Sequence, residues 1–210
     1  MEILGNISDR LEKIGYFDLI DNNDKKKFLK DKIDFDFKDD SNQFIGKGWL
    51  TFPNDFYISS VYNLTEYNNG SPTSDFRAFE VWPSGLFRGE FVDYLQSAKV
   101  VFEKNNLNLE WRNEVFDENI KEKIHHRITV NNYEYVIFSG QATRENIART
   151  MKLYGDSFRQ ILNDAIKRQD KSSRVMLVSQ PEYVVFVLLD NEQLKDFKQI
   201  LSQTKNQVEE

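Results

Sequence analysis

Residues 126–139, HRITVNNYEYVIFS, decide how the chain folds. Two runs of β-branched and aromatic residues flank Asn131-Asn132. An Asn pair accepts the positive φ that a two-residue hairpin turn demands. The stretch therefore reads as two strands, His126 to Val130 and Tyr133 to Ser139, joined tightly. Strands joined this closely must run antiparallel, because a parallel pair needs a crossover of about a dozen residues or more.

Working outward, the same alternation of signals continues. Upstream, Phe76 to Trp82 reads as a strand that Pro83-Ser84-Gly85 stops. Phe87, Phe91, Tyr94, Leu95, Ala98, Val101 and Phe102 lie on one helical stripe, which predicts a helix from Leu86 to Lys104. Asn105-Asn106 ends it, and Leu109 to Phe116 is a further strand. Downstream, Thr143 is placed to cap a helix carrying Ile147, Met151, Tyr154, Phe158, Ile161, Leu162, Ala165 and Ile166 on one face. A second hairpin, Arg174 to Ser179 and Tyr183 to Leu189, turns at Gln180-Pro181-Glu182. Asp190 and Gln193 then have capping-box spacing ahead of a last helix with Leu194, Phe197, Ile200 and Leu201 facing inward.

The first 70 residues are less regular. Asp9 and Glu12 suggest a capping box before a helix with Leu11 and Ile14 on its inner face. Asn23 to Lys32 reads as a short charged surface helix, and Ile33, Phe35 and Phe37 alternate with polar residues as in a half-buried strand. Gly46 to Phe52 and Phe56 to Leu64 are two more candidate strands. Tyr67 to Asp75, with Asn68-Asn69-Gly70-Ser71-Pro72 at its centre, is the clearest loop. The expected organisation is an N-terminal helical and strand appendage over 1–70, a main α+β domain over 71–203 and a frayed tail over 204–210. The expected fold class is α+β, an antiparallel or mixed sheet built from hairpins with helices packed mainly on one face.

Composition removes several chemistries. With no cysteine there is no disulfide, thiolate or zinc–cysteine site. His125-His126 is the only histidine pair, too few for an all-histidine metal centre, and consecutive strand residues face opposite ways. It reads as a strand-edge pair. No Gly-x-Ser-x-Gly elbow and no phosphate-loop motif occurs, and Gly46-Lys47-Gly48 is too short to be one. Asp34, Asp36, Asp39 and Asp40 lack the glycine and glutamate of a calcium loop. Gly85 and Gly89 sit where a strand hands over to a helix, and Arg88 there raises the option of an anion at the helix start. No cofactor and no metal is expected. Charged residues in Met1 to Ile20 leave no signal-peptide core, and no long apolar run occurs, so a cytoplasmic location away from membranes is expected.

The net charge is −6, which disfavours nucleic acid and suits a basic protein partner. Aromatic residues gather around the Tyr67 to Asp75 loop. Of these, Trp49, Tyr62, Tyr67, Trp82 and Phe87, together with Arg88, are the residue types that dominate protein contacts, and they form the expected binding set.

Three stretches carry a family resemblance: Ile14-Gly15-Tyr16-Phe17; Val130 to Tyr135 leading to Ile137-Phe138-Ser139-Gly140; and Phe186-Val187-Leu188-Leu189-Asp190. Through them the chain resembles a group of bacterial proteins, some of them immunity proteins against secreted toxins. The resemblance implies a class and no site. The leading expectation is a protein-binding module, an acidic inhibitor that caps a basic toxin or enzyme. The alternatives are a hydrolase or nucleic-acid-processing enzyme working through carboxylates, and a structural or assembly protein.

Overall fold

The computed structural model describes residues 7–34, 36–38, 44–47, 77–119, 123–169, 171–179, 184–201 and 207–209. In chain order the elements are α1 (Ile7–Lys13), α2 (Asn23–Asp34), β1 (Asp36–Lys38), β2 (Phe44–Lys47), β3 (Ala78–Val81), α3 (Pro83–Phe87), α4 (Phe91–Lys104), β4 (Trp111–Asn119), β5 (Lys123–Val130), β6 (Tyr133–Gly140), α5 (Ile147–Lys167), β7 (Arg174–Ser179), β8 (Val184–Leu189), α6 (Asn191–Leu201) and β9 (Gln207–Glu209). The fold is α+β. Its described strands fall into three sheets rather than one: β1-β2, β3-β8-β7-β9 and β4-β5-β6. Among the described residues no helix is long and apolar enough to cross a membrane.

The chain forms two compact units, one of residues 1–80 with 176–210 and one of residues 81–175. In the first unit, Leu11, Tyr16, Phe17, Leu29, Val178, Val187, Leu194 and Phe197 belong to one buried cluster. Tyr16 and Phe197 stack at 5.8 Å. Val185 to Leu189 are all buried, so β8 has no solvent face and reads as a continuous apolar run. Asp190 caps α6 as its spacing predicts. Its Oδ1 accepts from the backbone N–H groups of Glu192 and Gln193, and Gln193 Oε1 accepts from Asp190 N–H. Gln193 Nε2 also donates to the Ile14 and Gly15 carbonyls, and Arg77, from elsewhere in the same unit, donates to the carbonyls of Gly15 and Tyr16.

Several local expectations are corrected. Asp9 and Glu12 lie inside α1 and cap nothing; they pair instead with Lys30 and Lys26 of α2. That helix extends to Asp34, and the strand after it begins only at Asp36. The helix expected from Leu86 to Lys104 is two helices, divided where Gly89 takes φ +93°. Pro83 does not merely stop β3; it opens α3, where its missing N–H costs nothing. Asn146, not Thr143, precedes α5, and its Oδ1 accepts from the Thr143 N–H. Thr150 takes the buried position on α5, while Ile147 is exposed. At the end expected to fray, Gln207–Glu209 pair antiparallel with Leu177, Val178 and Ser179 of β7.

Candidate functional site

The second unit holds the groups with the most chemistry. Its sheet is a three-stranded antiparallel meander with β5 in the middle. Asn131 and Asn132 both have positive φ, +46° and +69°, which is the backbone of the two-residue turn expected there. Along β5, Ile124, His126, Ile128 and Val130 point inward, and Lys123, His125, Arg127 and Thr129 point outward. The register shifts between Arg112 and Val115 of β4, beside Asn113 at φ +54°, so the strand is bulged there.

On the outward face Val115, Arg127 and Val136 stand in one cross-strand row. Val136 is 60% exposed and Val115 36%. Arg127 Nη1 lies 3.6 Å from Glu134 Oε1. Asn113, Val115, Arg127, Thr129 and Glu134 line a depression of about 200 Å³ beside Val115. Apolar side chains held open in a row on a sheet mark an interaction surface more often than scattered ones do.

A larger hollow, about 600 Å³ and open to solvent, lies at the hairpin end. Amide side chains fix its rim. Asn131 Oδ1 accepts from Glu110 N–H at 2.8 Å, and Asn131 Nδ2 donates to the Asn108 carbonyl at 2.9 Å. Gln169 grips Asn108 from the other side, accepting from its N–H at 2.7 Å and donating to its carbonyl at 2.9 Å. Trp111 and Tyr133 contribute aromatic walls. The Arg168 guanidinium lies 3.6 Å over the Tyr133 ring and donates to the Tyr135 hydroxyl. Burial pushes the Tyr135 phenol up, and the Arg168 donor offsets this only in part, so Tyr135 is neutral near pH 7.

Beneath the sheet, His126 is fully buried. Its ring meets Phe91 and Phe116 edge-on at 5.4 and 4.9 Å. Its Nε2 is 3.0 Å from Glu114 Oε1 and its Nδ1 is 3.3 Å from the Tyr154 hydroxyl. A carboxylate accepts only, so Nε2 carries the proton and Nδ1 accepts from Tyr154. Burial pulls the imidazole down, against the opposing pull of Glu114. The neutral ring is thus satisfied at both nitrogens without reaching solvent, which suits a polar anchor in the core and leaves no path for a substrate.

The expected binding residues divide. Trp49, Tyr62 and Tyr67, like the loop from Tyr67 to Asp75, lie outside the described residues. Trp82 is 39% exposed, and Arg88 is exposed. Phe87 is half-buried and meets Tyr154 edge-on at 5.8 Å. The anion option at Gly85 to Gly89 meets a carboxylate, since Glu90 stands at the start of α4 and accepts from the Tyr94 hydroxyl. The two histidines do face opposite ways, but on the central strand, not an edge. Among the described residues no group of three or more His, Asp or Glu could hold a metal.

The place of His126 between Ile124 and Ile128 at period two turns it inward, but nothing local in the sequence marks it as the meeting point of Glu114 and Tyr154. The stacking of Arg168 on Tyr133 joins residues 35 apart in the chain and leaves no local signal. No protein-family model matches the chain, and no curated protein or solved structure matches it.

Proposed function

We propose that the chain is a protein-binding module of the inhibitor or immunity type, which grips a basic partner through the outward face of β4-β5-β6. One observation carries the reading: the exposed row Val115, Arg127, Val136 with its shallow depression. A flat, half-apolar face with a charged centre suits a protein surface better than a small substrate. The net charge of −6 over the whole chain is what supports a basic partner. The unit of residues 1–80 and 176–210 carries 21 Asp and Glu against 13 Lys and Arg, whereas residues 81–175, which hold the proposed face, carry 13 against 15. Trp82 and Arg88, both exposed, are offered as a second contact patch, and Trp49, Tyr62 and Tyr67 stay with them as proposed contacts.

The test is affinity capture with the full chain, followed by binding kinetics on the purified partner. The expected partner is basic, its association slows as salt rises, and Val136→Asp weakens the complex about tenfold or more. An acidic partner, or one whose affinity is untouched by both Val136→Asp and Val115→Asp, would refute this assignment.

A further inference from the structure

The hollow at the hairpin end shares Thr129 with the depression beside Val115 but has a composition of its own. Two guanidinium groups, Arg112 and Arg168, line it with one carboxylate, Glu110. Among the described residues neither arginine makes a direct ion pair; Arg168 donates to the neutral phenol of Tyr135 and stacks on the Tyr133 ring, with the Asp164 carboxylate acting on it from a distance. Two guanidiniums in one hollow without a direct carboxylate partner suit an anion, which they can bind through forked hydrogen bonds. Trp111 and Tyr133 add flat apolar walls, and Glu110 adds an acceptor for a hydroxyl or amine. A volume of about 600 Å³ is far more than an inorganic anion fills and lies in the range of organic-ligand pockets. The rim is pre-organised, because Asn131 and Gln169 clamp Asn108 from two sides before any ligand arrives.

We propose that this hollow binds a small planar-ring anion of the nucleoside monophosphate class. Arg112 and Arg168 hold the phosphate, Glu110 accepts from the sugar hydroxyls or a ring amine, and Trp111 and Tyr133 flank the ring. A protein partner's acidic side chain shares the anion but not the ring, and free phosphate lacks both ring and sugar. The inference goes beyond protein capture and needs no partner, so its test stands when the other fails.

The experiment titrates the full-length chain with adenosine and uridine 5′-monophosphates, and with adenosine and inorganic phosphate as separate arms. Binding is followed by backbone amide shifts of Asn108 to Arg112 and of Asn131 to Tyr133. Saturable shifts are expected with a monophosphate, with adenosine and phosphate each at least tenfold weaker. Arg168→Gln and Arg112→Gln, both at exposed positions, should each weaken the monophosphate about tenfold while the amide spectrum stays folded. Absence of saturable shifts with either monophosphate overturns the proposal. So does phosphate alone binding as tightly as a monophosphate, or a folded double variant with unchanged affinity.

Discussion

The hydroxyl of Tyr154 lies 3.3 Å from Nδ1 of His126, and neither side chain reaches solvent. This bond and the Glu114 contact at Nε2 satisfy the buried imidazole in its neutral form, while burial disfavours the charged form against the opposing pull of Glu114. Burial holds its folded-state proton affinity below the ordinary histidine value of about 6.5. In the unfolded chain the ring protonates first as pH falls. The contribution to stability is therefore whole above about pH 6.5 and shrinks as pH drops from there towards the lowered folded value. Urea titrations at a series of pH values from 8 to 5 should show this decline, and His126→Gln should remove most of it. Equal slopes in the two proteins would show that His126 is not the linked group.

Tyr154→Phe deletes one oxygen and keeps the ring packing against Phe87 and Phe138. It leaves Nδ1 of His126 without its donor. A buried acceptor left unpaired costs about 1–3 kcal/mol, so the thermal midpoint should fall. Nitrogen shifts of the His126 ring give an independent check, since the native bonds require the proton on Nε2.

Asp190 accepts two backbone N–H groups at the start of α6, at 2.9 and 2.8 Å. Asp190→Ala should cost about 1 kcal/mol, the usual worth of a good cap. Gln193→Ala should cost more than a box partner ordinarily does, because Gln193 Nε2 also serves the carbonyls of Ile14 and Gly15. Denaturant midpoints of the two variants and their double settle the order, with nearly additive losses expected because each side chain bonds the other residue's backbone N–H, which alanine keeps.

What could be read in the sequence follows from how local each cause is. The Asn131-Asn132 hairpin and the Asp190–Gln193 cap are set within four residues, and both are present as expected. The break at Gly89 was hidden because the stripe from Phe87 to Phe102 continues across it. Asp9 and Glu12 had capping spacing, yet charges on α2 claimed them. The hollow was illegible for a similar reason, since Arg112, Tyr133 and Arg168 meet only through the fold. Of the expected binding set, Trp82 and Arg88 are exposed and Phe87 is half-buried with its ring against Tyr154, a difference that residue type alone does not carry.

Glu12 shows how little a conspicuous ion cluster can contribute. Hydrogen bonds from Lys26 and then Lys30 hold its carboxyl down at about 2. Its side chain is 40% exposed, so solvent screens most of that gain. The contribution is present above the ordinary carboxylate range and is lost as pH falls through about 2. Glu12→Gln should lower stability at pH 7 by less than about 1 kcal/mol, and the difference should shrink further in 1 M salt. A salt-insensitive loss would mean that Glu12 acts through packing.

Gly89 lies between α3 and α4 and Gly85 within α3, and alanine at each should behave differently. Gly89 sits at φ +93°, where a side chain is strained, and a Cβ there would stand 3.3 Å from the Phe116 ring. Phe116 in turn packs on His126, so it has little room to yield. Gly89→Ala should therefore cost at least the 1–2 kcal/mol or so of a left-handed alanine. A Cβ on Gly85 would meet the Glu90 carboxylate and the Tyr94 hydroxyl, the far ends of side chains that can swing away. Gly85 also lies inside α3, where alanine gains up to about 1 kcal/mol of helix propensity. Gly85→Ala should thus be close to neutral, and thermal midpoints of the two variants should differ by several degrees. Equal losses would mean that the turn at Gly89 is not what divides the helices.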